Sequence, residues 1–295
     1  MTEGIGAATL TTVPEIAQRG SEPMSVTETA GGTTERAGAP VLLRRDETGV
    51  AWLTLNRPAQ RNALSVALMT SLQAEIDAIA SAKAIKVVVI AGAGPAFCAG
   101  HDLRELRANP SRQNYEAVFQ QCSRLMLSLV KLPKPVIASV HGIATAAGCQ
   151  LVATCDLAIA SEDARFATPG INIGLFCSTP MVSLSRAVGR KPAMEMLLTG
   201  ELISAGRARE LGLVNRVVPA SRLESEVSAL AQGIVGKSAL TLKIGKEAFY
   251  RQVELPLAEA YAYASEVMTR NMLARDAEEG IDAFLEKRPP NWEDR

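Results

Sequence analysis

The sequence predicts a mixed α and β fold with a helical C-terminal region. Short apolar segments rich in β-branched residues, such as IKVVVIAG and PKPVIASV, alternate with segments that have apolar residues at helical spacing. From Pro192 onward helical patterns dominate, including 221–235 and 254–272. Alternating strands and helices followed by helices alone are typical of a mixed architecture.

The predicted elements follow an N-terminal segment of different composition. Residues 1–39 are rich in Thr, Gly, Ala, Glu and Pro and lack apolar periodicity, so we expect a flexible leader there. We place the folded core at 40–200 and a helical C-terminal region at 201–295. The expected core elements are two strands around a turn at 47–49, a helix over 64–82, strands over 85–90 and 136–140, a helix over 146–155 and a strand over 156–161.

Composition excludes several classes of function. Lys plus Arg equals Asp plus Glu, at 31 each, so no charge excess indicates a nucleic-acid partner. Two His and five Cys without a CxxC pair predict reduced thiols and no metal site. No apolar run reaches the roughly 18 residues of a membrane span. The N-terminal segment contains several Glu residues, unlike a mitochondrial presequence, so we expect a cytoplasmic protein.

Two glycine-containing loops follow predicted strands. The first follows the strand over 85–90 and ends at residues 99–102; it lacks the GxGxxG spacing of a dinucleotide site. The second begins at Gly142 and leads into a helix that opens around Ala147 and Gly148. Small side chains let a ligand approach the backbone, and free N–H groups at a helix N-terminus attract negative charge. Together the loops predict an oxyanion hole, whereas the second loop alone is equally consistent with a tightly packed buried helix.

Five segments carry a family resemblance: LNRPAQRNALS, AFCAGHDLRE, HGIATAAGCQLVATCDLAIAS, LLTGELISAGRARELGLVNRVVP and DAEEGIDAFLEKR. In this order, over about residues 40–290, they resemble the crotonase (enoyl-CoA hydratase/isomerase) superfamily. The resemblance implies a crotonase spiral of ββα units with a helical trimerisation region at 201–295. It also implies a homotrimer or dimer of trimers and an acyl-CoA ligand of fatty-acid metabolism, with no further cofactor.

The resemblance also implies roles for residues of the two loops. By motif position, the two backbone donors of the oxyanion hole fall on His101 and Ala147. Ala147 stands where the family usually has Gly, so it would be strained at positive φ. Lysines near the CoA phosphates are expected on a C-terminal helix, although a solvated helix face explains them equally well. The expected substrate-binding residues are Ala99, Gly100, Asp102, Leu103, Gly148, Lys243 and Lys246.

Both glutamates that hydratases of this family use are absent. Gln150, in AAGCQL, stands at the first position, and Gly170, in FATPG, at the second. A neutral amide takes no proton at ordinary pH, so hydration by the usual mechanism is not expected. Residues 167–180, ATPGINIGLFCSTP, contain no Asp, Glu, His, Lys or Arg. With its AGHDL-type and PGxxxGLFCSTP-type motifs, the chain most resembles, within the superfamily, the enoyl-CoA hydratase domain-containing protein 3-like subgroup.

Other residues are candidates for the missing acid/base chemistry. The His101 side chain is a candidate proton carrier, although His101 contributing only its N–H is the favoured alternative. Asp102 and Glu105 are better explained as helix-capping or surface groups. Cys98 and Cys177 are candidate nucleophiles, but no feature pairs either with a base, and buried thiols are usually small hydrophobes.

The sequence therefore leaves more than one function open. We favour an atypical enzyme of the enoyl-CoA hydratase type, a lyase, because both oxyanion loops are retained. The absent glutamates favour the alternative, a non-catalytic pseudoenzyme that binds fatty acyl-CoA. The small residue at Gly170 also resembles the position where some naphthoate synthases recruit bicarbonate as a base. A scaffold without CoA binding is disfavoured by the paired loops.

Overall fold

The structure, a computed structural model, describes residues 38–295. The predicted leader, 1–39, lies almost entirely outside the described residues. Within the described part the strands are Leu42–Glu47 (β1), Val50–Leu55 (β2), Val87–Gly92 (β3), Ala96–Cys98 (β4), Val136–Val140 (β5), Ile143–Thr145 (β6), Leu157–Ser161 (β7), Arg165–Ala167 (β8), Ile203–Ser204 (β9) and Arg216–Val218 (β10).

The α-helices cover most of the remaining chain. No helix in residues 38–295 combines the length and apolar character needed to cross a membrane. The helices are Val66–Ser81 (α1), Leu103–Ala108 (α2), Arg112–Lys131 (α3), Ala147–Thr154 (α4), Pro180–Ala187 (α5), Arg190–Thr199 (α6), Ala205–Glu210 (α7), Leu223–Val235 (α8), Ala239–Gln252 (α9), Leu257–Met272 (α10) and Arg275–Glu286 (α11).

The strands form two sheets that share a repeating connection. The larger sheet has the order β1-β2-β3-β5-β7-β10 and is parallel except for the β1–β2 pair. The smaller sheet has the order β4-β6-β8-β9. Consecutive strands come in twos, with the first strand in the larger sheet and the second in the smaller one: β3 and β4, β5 and β6, and β7 and β8. Helices follow each of these twos. This arrangement confirms the predicted spiral of ββα units.

The larger sheet is covered on both faces, as its apolar strands require. Val87 and Val89 of β3 pack in a cluster with Val227 of α8, whereas Val88 and Ile90 pack in the main core. Successive strand residues point to opposite faces, so an unbroken apolar run is expected where both faces are buried. The second cluster places α8 on one face of the sheet, while α1, α3 and α4 contribute to the core on the other.

The C-terminal region is helical but also contributes to both sheets. β9 pairs with β8, and β10 pairs with β7, so strands continue past residue 200. The boundary between 200 and 201 stays a prediction, as does the role of 201–295 in assembly.

Helix α4 begins directly after a residue with an unusual backbone. Ala146, its N-cap, has φ 49° and ψ −119°, a conformation that normally favours Gly. Ala147 is not among the residues with positive φ. The strain that the sequence predicted at Ala147 therefore lies one residue earlier, because the chain turns before the helix rather than in its first residue.

Close backbone packing fixes the position of α4. A Cβ atom added at Gly148 would overlap the carbonyl oxygen of Cys98, and it would stand 2.9 Å from the Cys98 Cβ. Only Gly allows α4 to rest directly on β4. Gly233 in α8 is also helical, but a Cβ there would meet no atom within 4 Å.

We expect Gly148→Ala and Gly233→Ala to change stability in opposite directions. Gly148→Ala forces α4 away from β4 and should lower the free energy of unfolding by about 1–3 kcal/mol. Gly233→Ala should raise it by about 0.5–1 kcal/mol, since Ala favours the helix and fits the space. Urea unfolding measures both, and equal effects from the two variants would contradict the close contact.

We also expect Ala146→Gly to be tolerated or stabilising. The strained conformation destabilises the folded state by about 1–3 kcal/mol, and Gly removes that strain. Gly also gives the unfolded chain more conformational entropy, which lowers the free energy of unfolding by about 0.4–1 kcal/mol. The control, Ala153→Gly in the same helix, has no strain to relieve and should destabilise by about 1 kcal/mol. Thermal unfolding compares them; an Ala146→Gly variant that is destabilised as much as the control would disprove strain at this residue.

Candidate active site

A cavity of about 530 Å³ lies where the two glycine-containing loops meet the segment 169–180. The first loop contributes Ala99 and His101, and the second contributes Ala146 and Ala147. The uncharged segment supplies the largest share of the wall, from Pro169 to Pro180. The two loops predicted to act together are therefore brought to one cavity.

The first loop holds the amide of His101 free. Leu64 and His101 form an isolated parallel β-bridge. The Leu64 N–H donates to the Gly100 carbonyl at 2.7 Å, and the Asp102 N–H donates to the Leu64 carbonyl at 3.3 Å. In parallel pairing the residue between these two bonds directs its own N–H to the opposite side. The His101 N–H accordingly has no acceptor among residues 38–295.

The second loop presents the amide of Ala147. Ala147 is the first residue of α4, where backbone N–H groups have no partner within the helix. The Ala147 N–H has no acceptor outside the helix either, within the described part of the chain. The neighbouring Ala146 N–H, by contrast, donates to the Ala167 carbonyl at 3.0 Å. The Thr145 hydroxyl donates to the Ala99 carbonyl at 3.1 Å and ties the two loops together.

Asp102 and Glu105 serve the local structure. Asp102 accepts hydrogen bonds from the Arg104 and Glu105 amides at the start of α2, and it pairs with Arg57 at 3.0 Å. Burial alone would raise the pKa of Asp102, but the hydrogen bonds from Arg57 and from the Glu105 and Arg104 amides, together with the Arg57 charge, lower that pKa below its ordinary value. Glu105 accepts the Val66 N–H at the start of α1. Both carboxylates are therefore engaged at helix starts.

Gln150 and Gly170 differ in their relation to the cavity. Gln150 is buried in α4 and is not part of the lining; its Oε1 atom has no hydrogen-bond partner among the described residues. Gly170 lines the cavity, but a Cβ there would stand 2.7 Å from the Leu175 carbonyl oxygen and 2.9 Å from the Cys177 sulfur. A side chain at this position would collide with the chain itself. Bicarbonate would need the space of a carboxylate and not that of a Cβ, so the bicarbonate hypothesis stays a prediction.

The uncharged segment folds as a wall. A 3₁₀ helix at Pro169–Ile173 ends at Gly174, whose φ of 75° turns the chain, and the Leu175 N–H donates back to Gly170 at 2.9 Å. Ile173 and Leu175 are 59% and 55% exposed. With both glutamates absent, this wall offers an incoming ligand an almost wholly apolar surface.

The two candidate cysteines have protonated thiols. Burial raises the pKa of Cys98 to about 12. Burial also raises the pKa of Cys177, which lines the cavity. A thiol that holds its proton is a poor nucleophile, and the alternative of buried, unreactive cysteines therefore describes both residues.

His101 lines the cavity, but the surroundings of its ring are those of a buried group. Its ring contacts Phe119 edge-on, with centroids 5.4 Å apart and planes at 76°. Both ring nitrogens are buried and have no hydrogen-bond partner in residues 38–295. Burial lowers the pKa of His101 from its ordinary value of 6.5, so the ring is neutral at pH 7.

The remaining predicted site residues separate into three groups. Ala99 and Leu103 line the cavity. Three other predicted residues do not line it but make backbone contacts within or between the two loops: Gly100, Asp102 and Gly148. The two lysines lie on α9, outside the lining.

The lysines of α9 have different surroundings. Lys243 is exposed. The Lys246 ammonium pairs with Asp156 at 2.7 Å and also donates to the carbonyls of Leu129 and Lys134. Its three hydrogens are engaged within the protein, so we do not include Lys246 in the proposed ligand site.

Sequence reasoning missed one side of the cavity. Phe119 comes from α3, which was not predicted, although its buried residues Val118, Cys122, Leu125 and Leu129 have helical spacing. Leu106 of α2 completes this apolar side. Among residues 38–295, no three His, Cys, Asp or Glu side chains are grouped as metal ligands would be.

Comparisons with known proteins agree with this architecture. Residues 45–295 match the family model described as enoyl-CoA hydratase/isomerase. The chain is 48% identical over 248 residues to the human protein named enoyl-CoA hydratase domain-containing protein 3, mitochondrial, covering 84% of this chain and 82% of that protein. The crystal structure of that human protein superposes with a TM-score of 0.83, at 47% identity over 85% of this chain and all of the other.

A bacterial crystal structure resembles this chain about as well as the human one does. The enoyl-CoA hydratase of Mycobacterium smegmatis has a TM-score of 0.84 and 56% identity, covering 86% of this chain and 99% of that one.

The names of the relatives contradict the predicted cytoplasmic location. Proteins from rat, mouse, Xenopus laevis and human, 47–48% identical to this chain, are all named mitochondrial. The prediction rested on the acidic residues of the N-terminal segment, which is a weak indicator of location.

The two glycine-containing loops at one cavity, the ββα spiral and the family match lead to one conclusion. The chain belongs to the enoyl-CoA hydratase/isomerase (crotonase) family.

Proposed function

We propose that this protein binds a fatty acyl-CoA thioester and polarises its carbonyl between the amides of His101 and Ala147. The observation that carries the proposal is the presence of two unpaired backbone N–H groups, on separate loops, at one apolar cavity. A thioester oxygen that gains negative charge as an enolate forms would accept hydrogen bonds from both. One such donor typically contributes about 3–4 kcal/mol to transition-state stabilisation.

The cavity wall supports an acyl chain as the ligand group. Leu103, Phe119, Ile173, Leu175 and Phe176 present apolar surface to it, and each is partly exposed to solvent. Burial of apolar surface stabilises a complex by about 25 cal/mol per Å². An acyl chain laid along these residues would therefore bind more tightly as it lengthens.

We further propose an enzyme of the hydratase/isomerase type with an atypical acid/base group, acting in fatty-acid metabolism. The second candidate is a non-catalytic acyl-CoA binding protein, and it is favoured by one observation: no carboxylate lines the cavity among the described residues. The names of the matched relatives support the enzyme. Both candidates require thioester binding, so they separate only on turnover.

We expect decanoyl-CoA to bind more tightly than free CoA, and Ile173→Asp to weaken decanoyl-CoA binding at least tenfold. The substitution places a charge on the apolar wall, and a loss of 1.4 kcal/mol corresponds to tenfold in Kd. Leu43→Asp, at a similarly exposed residue of the edge strand β1, should leave binding unchanged. Isothermal titration calorimetry measures each Kd. Equal affinities for decanoyl-CoA and free CoA would contradict the proposed site.

Turnover distinguishes the two candidates in the same samples. An enoyl-CoA thioester incubated in heavy-oxygen water should be labelled slowly or not at all by the wild type. Gln150→Glu tests whether the first lost carboxylate is enough to give hydration. Gly170→Glu is unsuitable as a test, because its side chain would collide with Leu175 and Cys177. Rapid labelling by the wild type would show that hydration survives without either glutamate.

We also propose that the C-terminal helices mediate a homotrimer or a dimer of trimers. Large apolar side chains are exposed on or beside α10 and α11, with Leu273 83%, Phe284 81% and Leu257 76% exposed. An apolar surface of this kind is typical of an interaction site.

We expect Leu273→Asp to shift the protein toward the monomer. A charge at the centre of an apolar interface loses its hydration without gaining a partner. Light scattering after size-exclusion chromatography gives the mass, with Leu43→Asp again as the control. A wild-type protein that runs at the mass of one 31.3 kDa chain would contradict the assembly.

A further inference from the structure

We propose that Arg57 is a positioning residue for the first loop, and that its ion pair with Asp102 sets the direction of the His101 N–H. The inference rests on the proposed function, since it concerns an amide that would hold the thioester oxygen. Arg57 and Asp102 lie outside the cavity lining, so the pair acts through the backbone and not on the ligand.

The segment that joins β2 to α1 supports the first loop from its start to its end. At the start, the Asn62 side chain donates to the carbonyls of Ala93 and Ala96 at 2.8 Å and 2.7 Å. At the end, the β-bridge between Leu64 and His101 continues the same contact. The position of the His101 peptide is therefore set by a segment that does not line the cavity.

The Arg57 side chain connects the two strands of this bridge. One guanidinium nitrogen donates to the Ala63 carbonyl at 2.7 Å, and another donates to the Asp102 carboxylate at 3.0 Å. Ala63 directly precedes Leu64, and Asp102 directly follows His101. A guanidinium is planar and holds its donors in a rigid fork, so it keeps the two acceptors at a fixed separation.

The ion pair is shielded from solvent and anchored at both ends. The side chains of Arg57 and Asp102 are only 17% and 14% exposed, so salt screens their attraction less than that of a surface pair. The second carboxylate oxygen of Asp102 accepts the amides of Arg104 and Glu105. The pair therefore ties the first loop to the start of α2 as well as to the segment after β2.

Loss of this restraint should affect polarisation of the carbonyl more than binding of the thioester. A hydrogen bond weakens steeply as its angle departs from linearity, so a small rotation of the His101 peptide lowers the pull on the oxygen. The apolar wall that would contact the acyl chain belongs to other segments of the chain. Arg57 is therefore expected to separate these two properties of the site.

The test is ¹³C NMR of decanoyl-CoA labelled at its carbonyl carbon and bound to saturation. The signal should move downfield on binding to the wild type, because hydrogen bonds to the oxygen withdraw electrons from the carbon. Arg57→Met keeps a long side chain without the charge, and it should lose about half of this shift, the share of one donor of two. The Kd should weaken at most about tenfold, which is the effect of a single hydrogen bond.

Two further variants test the pair from its other side and guard against a folding defect in Arg57→Met. Asp102→Asn keeps an oxygen for the start of α2 but removes the charge, and it should lose a similar part of the shift. Arg57→Lys has a single ammonium in place of the fork and should keep part of it. The double variant Arg57→Met/Asp102→Asn should lose no more than either single variant, because both remove one interaction.

Arg44→Met is the matched control, because it removes another arginine that holds two acceptors. Arg44 pairs with Asp46 at 2.7 Å and with Glu75 at 2.8 Å, and it lies outside the cavity lining. This variant should give the shift of the wild type. Thermal unfolding of each variant establishes that it is folded at the temperature of the NMR measurement.

The outcomes separate this inference from the proposed function. The full shift of the wild type in Arg57→Met or in Asp102→Asn would overturn the inference, as would an equal loss of shift in Arg44→Met. A wild type that binds decanoyl-CoA without any shift would reject the inference together with the polarising role of the amides, and it would leave thioester binding intact. Absence of decanoyl-CoA binding would reject the proposed function itself.

Discussion

The site depends on the close contact between two backbone segments. α4 rests on β4 without an intervening side chain at Gly148, and Gly100 faces Ala146 so closely that a Cβ at Gly100 would stand 2.9 Å from the Ala146 Cβ. Separately, each loop is an ordinary strand end with a free amide. In close contact, the two loops bring two free amides to one cavity. The unusual backbone of Ala146 lies at this contact.

The absence of both glutamates is accompanied by an uncharged cavity wall. Gln150 is buried away from the lining, and the Leu175 carbonyl and Cys177 sulfur fill the space beside Gly170. An unpaired carboxylate in such an apolar wall would lose its hydration at a cost of several kcal/mol. The uncharged segment thus gives the cavity an almost wholly apolar wall.

Longer elements were predicted well because their patterns repeat. The helix expected over 64–82 is observed as Val66–Ser81, and the strand over 136–140 is observed at those bounds. The second sheet was missed, since β4, β6 and β8 have three residues each and are too short for an alternating pattern to be recognised. These short strands matter for the site: β4 and β6 carry the two loops into position.

The sequence by itself determined which residues are candidates for the site: two loops with His101 and Ala147 as the proposed backbone donors, and no glutamate at Gln150 or Gly170. Such features depend on local motifs and on residue type alone. Tertiary structure decided that a Cβ at Gly170 has no room, that the Lys246 ammonium is engaged by Asp156, and that the ring of His101 packs edge-on against Phe119. Each of these depends on a contact between residues in different elements, and no local pattern in the sequence records which side chains the fold brings together.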